Sequence, residues 1–322
     1  MKLFHSLLYP LLGGLFCLSC SDDEQDTGTK QPTTAGEVTF GVDLTGFSTR
    51  VTQDGSSWND GDKIGTYVLD MKTLEPVTEA ANVPYVCSEE GASVSFTSTT
   101  PLKVQNDGTP VKFVAYYPYN ADVRNFNYPV QLAVQERGST ACDLLYAATK
   151  EEYTYSPENE PHISLNFTHR LAKVILKFVN MEKEPLEVSD VRIEGMQTAA
   201  SFNIQTDVLT VDESSVATIN PYHNATTGFY EAIILPSALT DSYKVSFVLD
   251  DREKEWIFTN LDIALPQFHK GYSYTFALYI DDSGFVEMGR LENVDGGNSS
   301  APWEDGSSED GTAEGDKTPV SG

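Results

Sequence analysis

Val38-Thr39-Phe40-Gly41-Val42-Asp43-Leu44 sets an apolar side chain at every second position. A period of two puts Val38, Phe40, Val42 and Leu44 on one face of a β-strand, with Thr39, Gly41 and Asp43 on the other. Burying four such side chains contributes on the order of 6–12 kcal/mol at about 1.5–3 kcal/mol each. That is comparable with the roughly 5–15 kcal/mol that holds a whole domain folded. The strand is thus a principal support of the sheet that receives it.

On its C-terminal side Gly46 ends the strand, and Arg50 and Val51 fall in a polar loop that reaches Trp58. A turn rich in Asp and Gly, Asn59-Asp60-Gly61-Asp62, then leads into a further strand. The pattern repeats along the chain as short β-branched and aromatic runs between Gly- or Pro-bearing turns. Val111 to Tyr117 is the strongest run of the first half, and it stops at Pro118, which has no N–H for a ladder. The polar segment Tyr153 to Pro161 reads as a passage between domains, after which Ile163 to Phe178 begins a second sheet. Val188 to Ile193, Phe229 to Leu235, Tyr243 to Leu249, Trp256 to Leu261 and Tyr272 to Ile280 continue it. Asp250-Asp251-Arg252-Glu253-Lys254 has the composition of a hairpin tip. Apolar residues at helical spacing never extend beyond a couple of turns. The expectation is all-β, two sandwiches in tandem over residues 37–160 and 161–292.

On the N-terminal side, residues 20–36 are Asp, Thr, Gly, Gln and Pro with few apolar side chains, the composition of a disordered tether. Residues 1–19 hold Lys2 and an apolar run from Leu7 to Leu18, the layout of a secretory signal peptide. Ser19 precedes Cys20, so the segment looks like a lipobox whose cysteine is acylated and becomes the mature N-terminus. The following Ser21-Asp22-Asp23-Glu24 resembles the surface-export tags of Bacteroides-type lipoproteins. Anionic headgroups repel three acidic side chains, so these suit an address label better than a membrane contact. A plain cleaved signal peptide with an incidental cysteine is the alternative. Membrane attachment is expected through the lipid on Cys20, since no later apolar run has the length of a membrane span. Residues 293–322 are Gly, Ser, Asp and Glu around Trp303, an acidic tail expected to be disordered.

With 48 acidic against 21 basic side chains, the formal net charge of -27 repels phosphate and excludes nucleic acid as a partner. Beyond the signal peptide and Cys20, Cys87 and Cys142 remain, either as one disulfide or as two buried or free thiols. His162, His169, His223 and His269 show no metal-ligand spacing, and no nucleophile elbow or glycine-rich phosphate loop occurs. No catalytic residue, metal site or cofactor is therefore assigned. His169, beside Arg170 within a strand, reads as a structural histidine. Asp60 and Asp62 read as turn residues, because the spacing of a calcium loop is missing. Tyr116, Tyr117 and Tyr119 read as core and rim.

Arg50 stands out because basic residues are scarce and the polar loop around it offers extended backbone to a protease. A cut between Arg50 and Val51 would leave the first strand attached by noncovalent contacts alone.

The order of several segments resembles the fimbrillin family of Bacteroidetes, lipoprotein-precursor subunits of type V pili that include Mfa-like members. The matching stretches begin with Ser48-Thr49-Arg50 and Trp58-Asn59-Asp60-Gly61-Asp62-Lys63-Ile64-Gly65. Phe113-Val114-Ala115-Tyr116-Tyr117-Pro118-Tyr119 and Asp143-Leu144-Leu145-Tyr146-Ala147 come next. Leu165-Asn166-Phe167-Thr168-His169-Arg170-Leu171-Ala172-Lys173-Val174, Ala232-Ile233-Ile234-Leu235-Pro236 and Lys270-Gly271-Tyr272-Ser273-Tyr274-Thr275 complete the set. The resemblance implies two transthyretin-like β-sandwich domains in tandem and a lipid-anchored precursor. It also implies an arginine-specific protease that acts at the position matched by Arg50 and frees the strand bearing Val38, Phe40, Val42 and Leu44. A strand from another pilus subunit then fills the groove. Strand addition is an established recognition mode, in which main-chain bonds and alternate side-chain pockets hold the guest.

The expected function is a non-enzymatic pilus subunit on the cell outer membrane, passing into the fimbrium after processing. Phe285 to Leu291 is short for a donor strand, which favours a tip or accessory adhesin with a host or bacterial surface ligand. The alternative is a permanently lipid-anchored binding module or anchor pilin. A hydrolase acting through paired carboxylates is the remaining class, and abundant Asp and Glu on an acidic surface are mostly solvated faces.

Overall fold

The computed structural model describes residues 35–43, 58–78, 81–91, 93–135, 142–181, 186–249, 252–260, 265–281, 286–292 and 304–305. Every element named among them is a β-strand. The largest sheet has eight strands, in the order His162–Leu165, Thr39–Asp43, Ser93–Thr97, Val83–Cys87, Lys63–Asp70, Val111–Tyr117, Leu145–Ala148 and Thr168–His169. Alternation dictates its inner face: Val38, Phe40, Tyr85, Phe96 and Phe113 are fully buried, and Trp58 and Phe167 join them in one core. The Asp-Gly turn forms as its composition requires. Gly61 takes φ +88°, Asn59 N–H donates to Asp62 Oδ2 at 2.7 Å, and Trp58 is thereby delivered into the core.

The sequence-drawn boundary at 160/161 runs through this sheet. His162–Leu165 pairs in parallel with Thr39–Asp43, and Thr168–His169 pairs antiparallel with Leu145–Ala148. The apolar run expected to begin the second sheet is therefore two pieces: Ile163 and Leu165 fill the first core, and Ala172–Asn180 begins the second. Alternation shows that a strand has a buried face but not which sheet buries it.

Ala172–Asn180 lies between Phe229–Ile234, its antiparallel neighbour, and Tyr272–Ile280, its parallel one. Opposite them stand Val188–Glu194, Lys244–Leu249 and Arg252–Ile257, with a core around Phe247, Trp256, Phe258, Phe268 and Phe276. Lys244–Leu249 and Arg252–Ile257 pair directly as the predicted hairpin, though Asp250 and Asp251 at its tip lie outside the described residues. Most of the acidic tail also lies outside them, but Glu304–Asp305 pairs in parallel with Tyr272 and Ser273.

A third core joins the two halves. Tyr67, Leu69, Val114, Tyr116 and Leu132 meet Phe202, Ile204, Ile233 and Leu235, and Asn127–Gln131 pairs with Ala199–Asn203 from the later half. Gln135, 1% exposed, stitches the seam: its amide donates to Ile233 O at 2.6 Å and to Leu132 O at 2.9 Å, and its oxygen accepts from Ile233 N–H at 2.7 Å. Gln135→Leu strands these backbone groups out of water, each at about 1–3 kcal/mol. Denaturant unfolding should show a loss of roughly 2–4 kcal/mol.

Candidate functional site

The Thr39–Asp43 strand is internal to its sheet. Phe40 stands opposite Phe96 on one side and Ile163 on the other, and Val42 opposite Val94 and Leu165. Val38 and Phe40 are 0% exposed and Val42 is 2% exposed. Leu44, predicted to complete the row, lies outside the described residues, as do Cys20, Arg50 and Val51. Phe40 meets Tyr85 edge-on at 4.8 Å and Phe113 at 5.8 Å, arrangements that add to simple burial.

Backbone contacts fix the strand's entry into the sheet. Val38 N–H donates to Leu102 O and Thr39 N–H to Pro161 O, both at 2.9 Å. The Tyr85 hydroxyl donates to Val38 O at 2.9 Å and accepts from Leu102 N–H at 2.8 Å. Just upstream, Ala35–Glu37 changes sheet and pairs with Lys103–Gln105, where Glu37 and Lys103 form an exposed ion pair at 3.2 Å. Thr39 Oγ1 lies 3.0 Å from His162 Nδ1 on the outer face.

Burial pushes the Tyr85 phenol up to about 12, and Tyr67, Tyr128 and Tyr146 rise to about 12 chiefly for the same reason. A folded pKa above the unfolded value of about 10 keeps its stabilising contribution below pH 10 and loses it as pH rises toward 12. An alkaline titration of stability should therefore fall steeply above pH 10, and Tyr85→Phe should make that fall shallower.

The predicted chemistry-bearing side chains do not converge. His169 Nδ1 and Asp143 form a buried pair at 2.8 Å, as expected of a structural histidine. His223 stacks on Tyr230 at 4.5 Å, and His269 lies beside Gln267. Among the described residues no three His, Cys, Asp or Glu side chains gather as a metal site. Cys87 and Cys142 are free thiols, and burial raises the pKa of both. Tyr116 is core and Tyr117 is half-buried on Asp62, in line with the core-and-rim reading.

Sequence reasoning found the strand but missed what holds it. Tyr85, Tyr155 and the parallel partner His162–Leu165 come from distant parts of the chain. The alternation of Ile163 and Leu165 with His162 and Ser164 was the available signal, without an address.

Residues 49–303 match the family described as fimbrillin-like. Among solved structures, the chain resembles a candidate cell adhesion protein from Bacteroides uniformis at TM-score 0.64 and 23% identity, over 83% of this chain and 99% of that one. A candidate cell adhesion protein from Bacteroides ovatus matches at TM-score 0.60 and 15% identity, over 81% and 97%. At these identities the likeness is one of fold. Among curated proteins, none matches. The family match over residues 49–303 carries the assignment: the chain belongs to the fimbrillin-like family, as a non-enzymatic protein of fimbrial type.

Proposed function

We propose that this chain is a pilus subunit, of the tip or accessory adhesin kind, that assembles by protease-triggered strand exchange. It reaches the outer membrane as a lipoprotein acylated on Cys20. An arginine-specific protease then cuts between Arg50 and Val51. The segment holding Val38, Phe40, Val42 and Leu44 leaves, and a strand from another subunit fills the slot.

One observation carries the reading. A strand internal to the eight-stranded sheet reaches the rest of that sheet along the chain through residues 44–57 alone, and Arg50 is in that stretch. Its three described apolar side chains contribute on the order of 4.5–9 kcal/mol, so an emptied slot is strongly driven to capture another strand. Val286–Glu292 is already paired along Tyr272–Ile280, which favours a subunit that accepts a strand over one that donates. The candidate adhesin roles of the structural relatives fit a surface ligand.

N-terminal sequencing of the mature surface protein tests this. A start at Val51 is the expected result. A blocked, acylated Cys20 in assembled material would instead assign a permanently anchored module.

A further inference from the structure

The slot has two gaps in its row of side chains. Gly36 is buried, and a Cβ added to it would lie 2.5 Å from Tyr155 Cε2 and 3.0 Å from Pro161 Cγ. Gly41 lies on the outer face, where a Cβ would meet His162 Nε2 at 2.6 Å. These obstacles differ in stiffness. His162 is exposed and can turn aside at the cost of its contact with Thr39. Tyr155 packs against the first core, and Pro161 is buried with its carbonyl bound to Thr39 N–H. Pro161 does not move without loosening Thr39, and Tyr155, half-buried, turns aside only by giving up its packing on that core.

We propose, resting on the strand-exchange reading, that Tyr155 selects the occupant. The slot takes an extended strand of another polypeptide with glycine at the Gly36 position and apolar residues at the positions of Val38, Phe40 and Val42. Glycine at the Gly41 position is favoured but not required.

The chain's own later sequence sharpens the choice of partner. Gly284-Phe285-Val286-Glu287-Met288-Gly289-Arg290 repeats the spacing of Gly36, Val38, Phe40 and Gly41. It then sets Arg290 where Val42 is 2% exposed, opposite Val94 and Leu165. A guanidinium among those side chains loses water without a carboxylate in exchange. The rule therefore excludes residues 284–290 of a second copy as the occupant and favours a different polypeptide that is apolar at that position.

The test uses the full chain with an engineered protease site in place of residues 48–53, cut and mixed with labelled synthetic peptides. A peptide of residues 35–44 is expected to be captured. Its Gly36→Val form should bind about tenfold more weakly, and a Tyr155→Ala protein should restore it. A peptide of residues 283–292 should fail, and its Arg290→Val form should bind. Equal capture of the Gly36→Val peptide, no restoration by Tyr155→Ala, or capture of the unaltered 283–292 peptide would each overturn the proposal. If even the native peptide is refused, strand exchange itself fails, and selection is read in the uncut chain from Gly36→Val, Tyr155→Ala and the double variant. There, a smaller loss of Tm in the double variant than the sum of the singles supports Tyr155 as the obstacle, and strict additivity rejects it.

Discussion

Phe40→Ala is expected to cost the uncut chain about 3–5 kcal/mol, and to speed loss of the N-terminal fragment about a hundredfold or more once the chain is cut near Arg50. The ring is 0% exposed and is held edge-on between Tyr85 and Phe113, with Phe96 and Ile163 as its cross-strand neighbours. Truncation removes the transfer contribution and leaves a cavity walled by side chains from other strands of the same sheet, which collapses poorly because the ladder fixes those strands. Thr39→Ala, one residue away on the exposed face, should cost less than about 0.5 kcal/mol. Denaturant unfolding gives the first quantity, and fragment release followed by size-exclusion chromatography gives the second. Comparable losses for the two variants would mean that the strand is held by its backbone alone, and the capture argument would fail with it.

Lys173→Met should destabilise the chain by about 3–5 kcal/mol. Lys173 Nζ lies 2.7 Å from Glu231 Oε2, with the side chains 14% and 8% exposed, and Asn224 donates to Glu231 Oε1 at 2.9 Å. The two residues sit on adjacent antiparallel strands, where Lys173 stands opposite Ile233 and Glu231 opposite Ile175. Removing the cation leaves a carboxylate in low dielectric, and that penalty exceeds what the pair itself contributes. The double variant Lys173→Met/Glu231→Leu should therefore recover most of the loss. Chemical unfolding of the two variants decides the matter, and a double variant as weak as the single one would show that packing, not charge, is at stake.

Much of the fold was legible locally. The period-two run at Val38 to Val42 announces a strand because a buried face requires apolar side chains at alternate positions, and the β-branched and aromatic run at Val111 to Tyr117 announces one by composition and by its stop at Pro118. The Asp62 turn and the hairpin between Lys244–Leu249 and Arg252–Ile257 depend on a few neighbouring residues and were equally readable. The parallel pairing of His162–Leu165 with Thr39–Asp43 was not, because parallel neighbours are joined by no tight turn and carry no local signature. Nor was the seam of Gln135 on Ile233, where a polar side chain reads as surface until its two backbone partners are known.

The sequence by itself determined an all-β chain, a formal net charge of -27, and an apolar first strand followed by a scarce arginine. Those follow from composition and from periods of two, which are local. Only the tertiary structure decided that this strand lies inside the sheet, that strands on both sides of residue 160 share it, and that Tyr155 and Pro161 crowd Gly36. Those are contacts between residues far apart along the chain, and no local pattern encodes which distant strand will close against another.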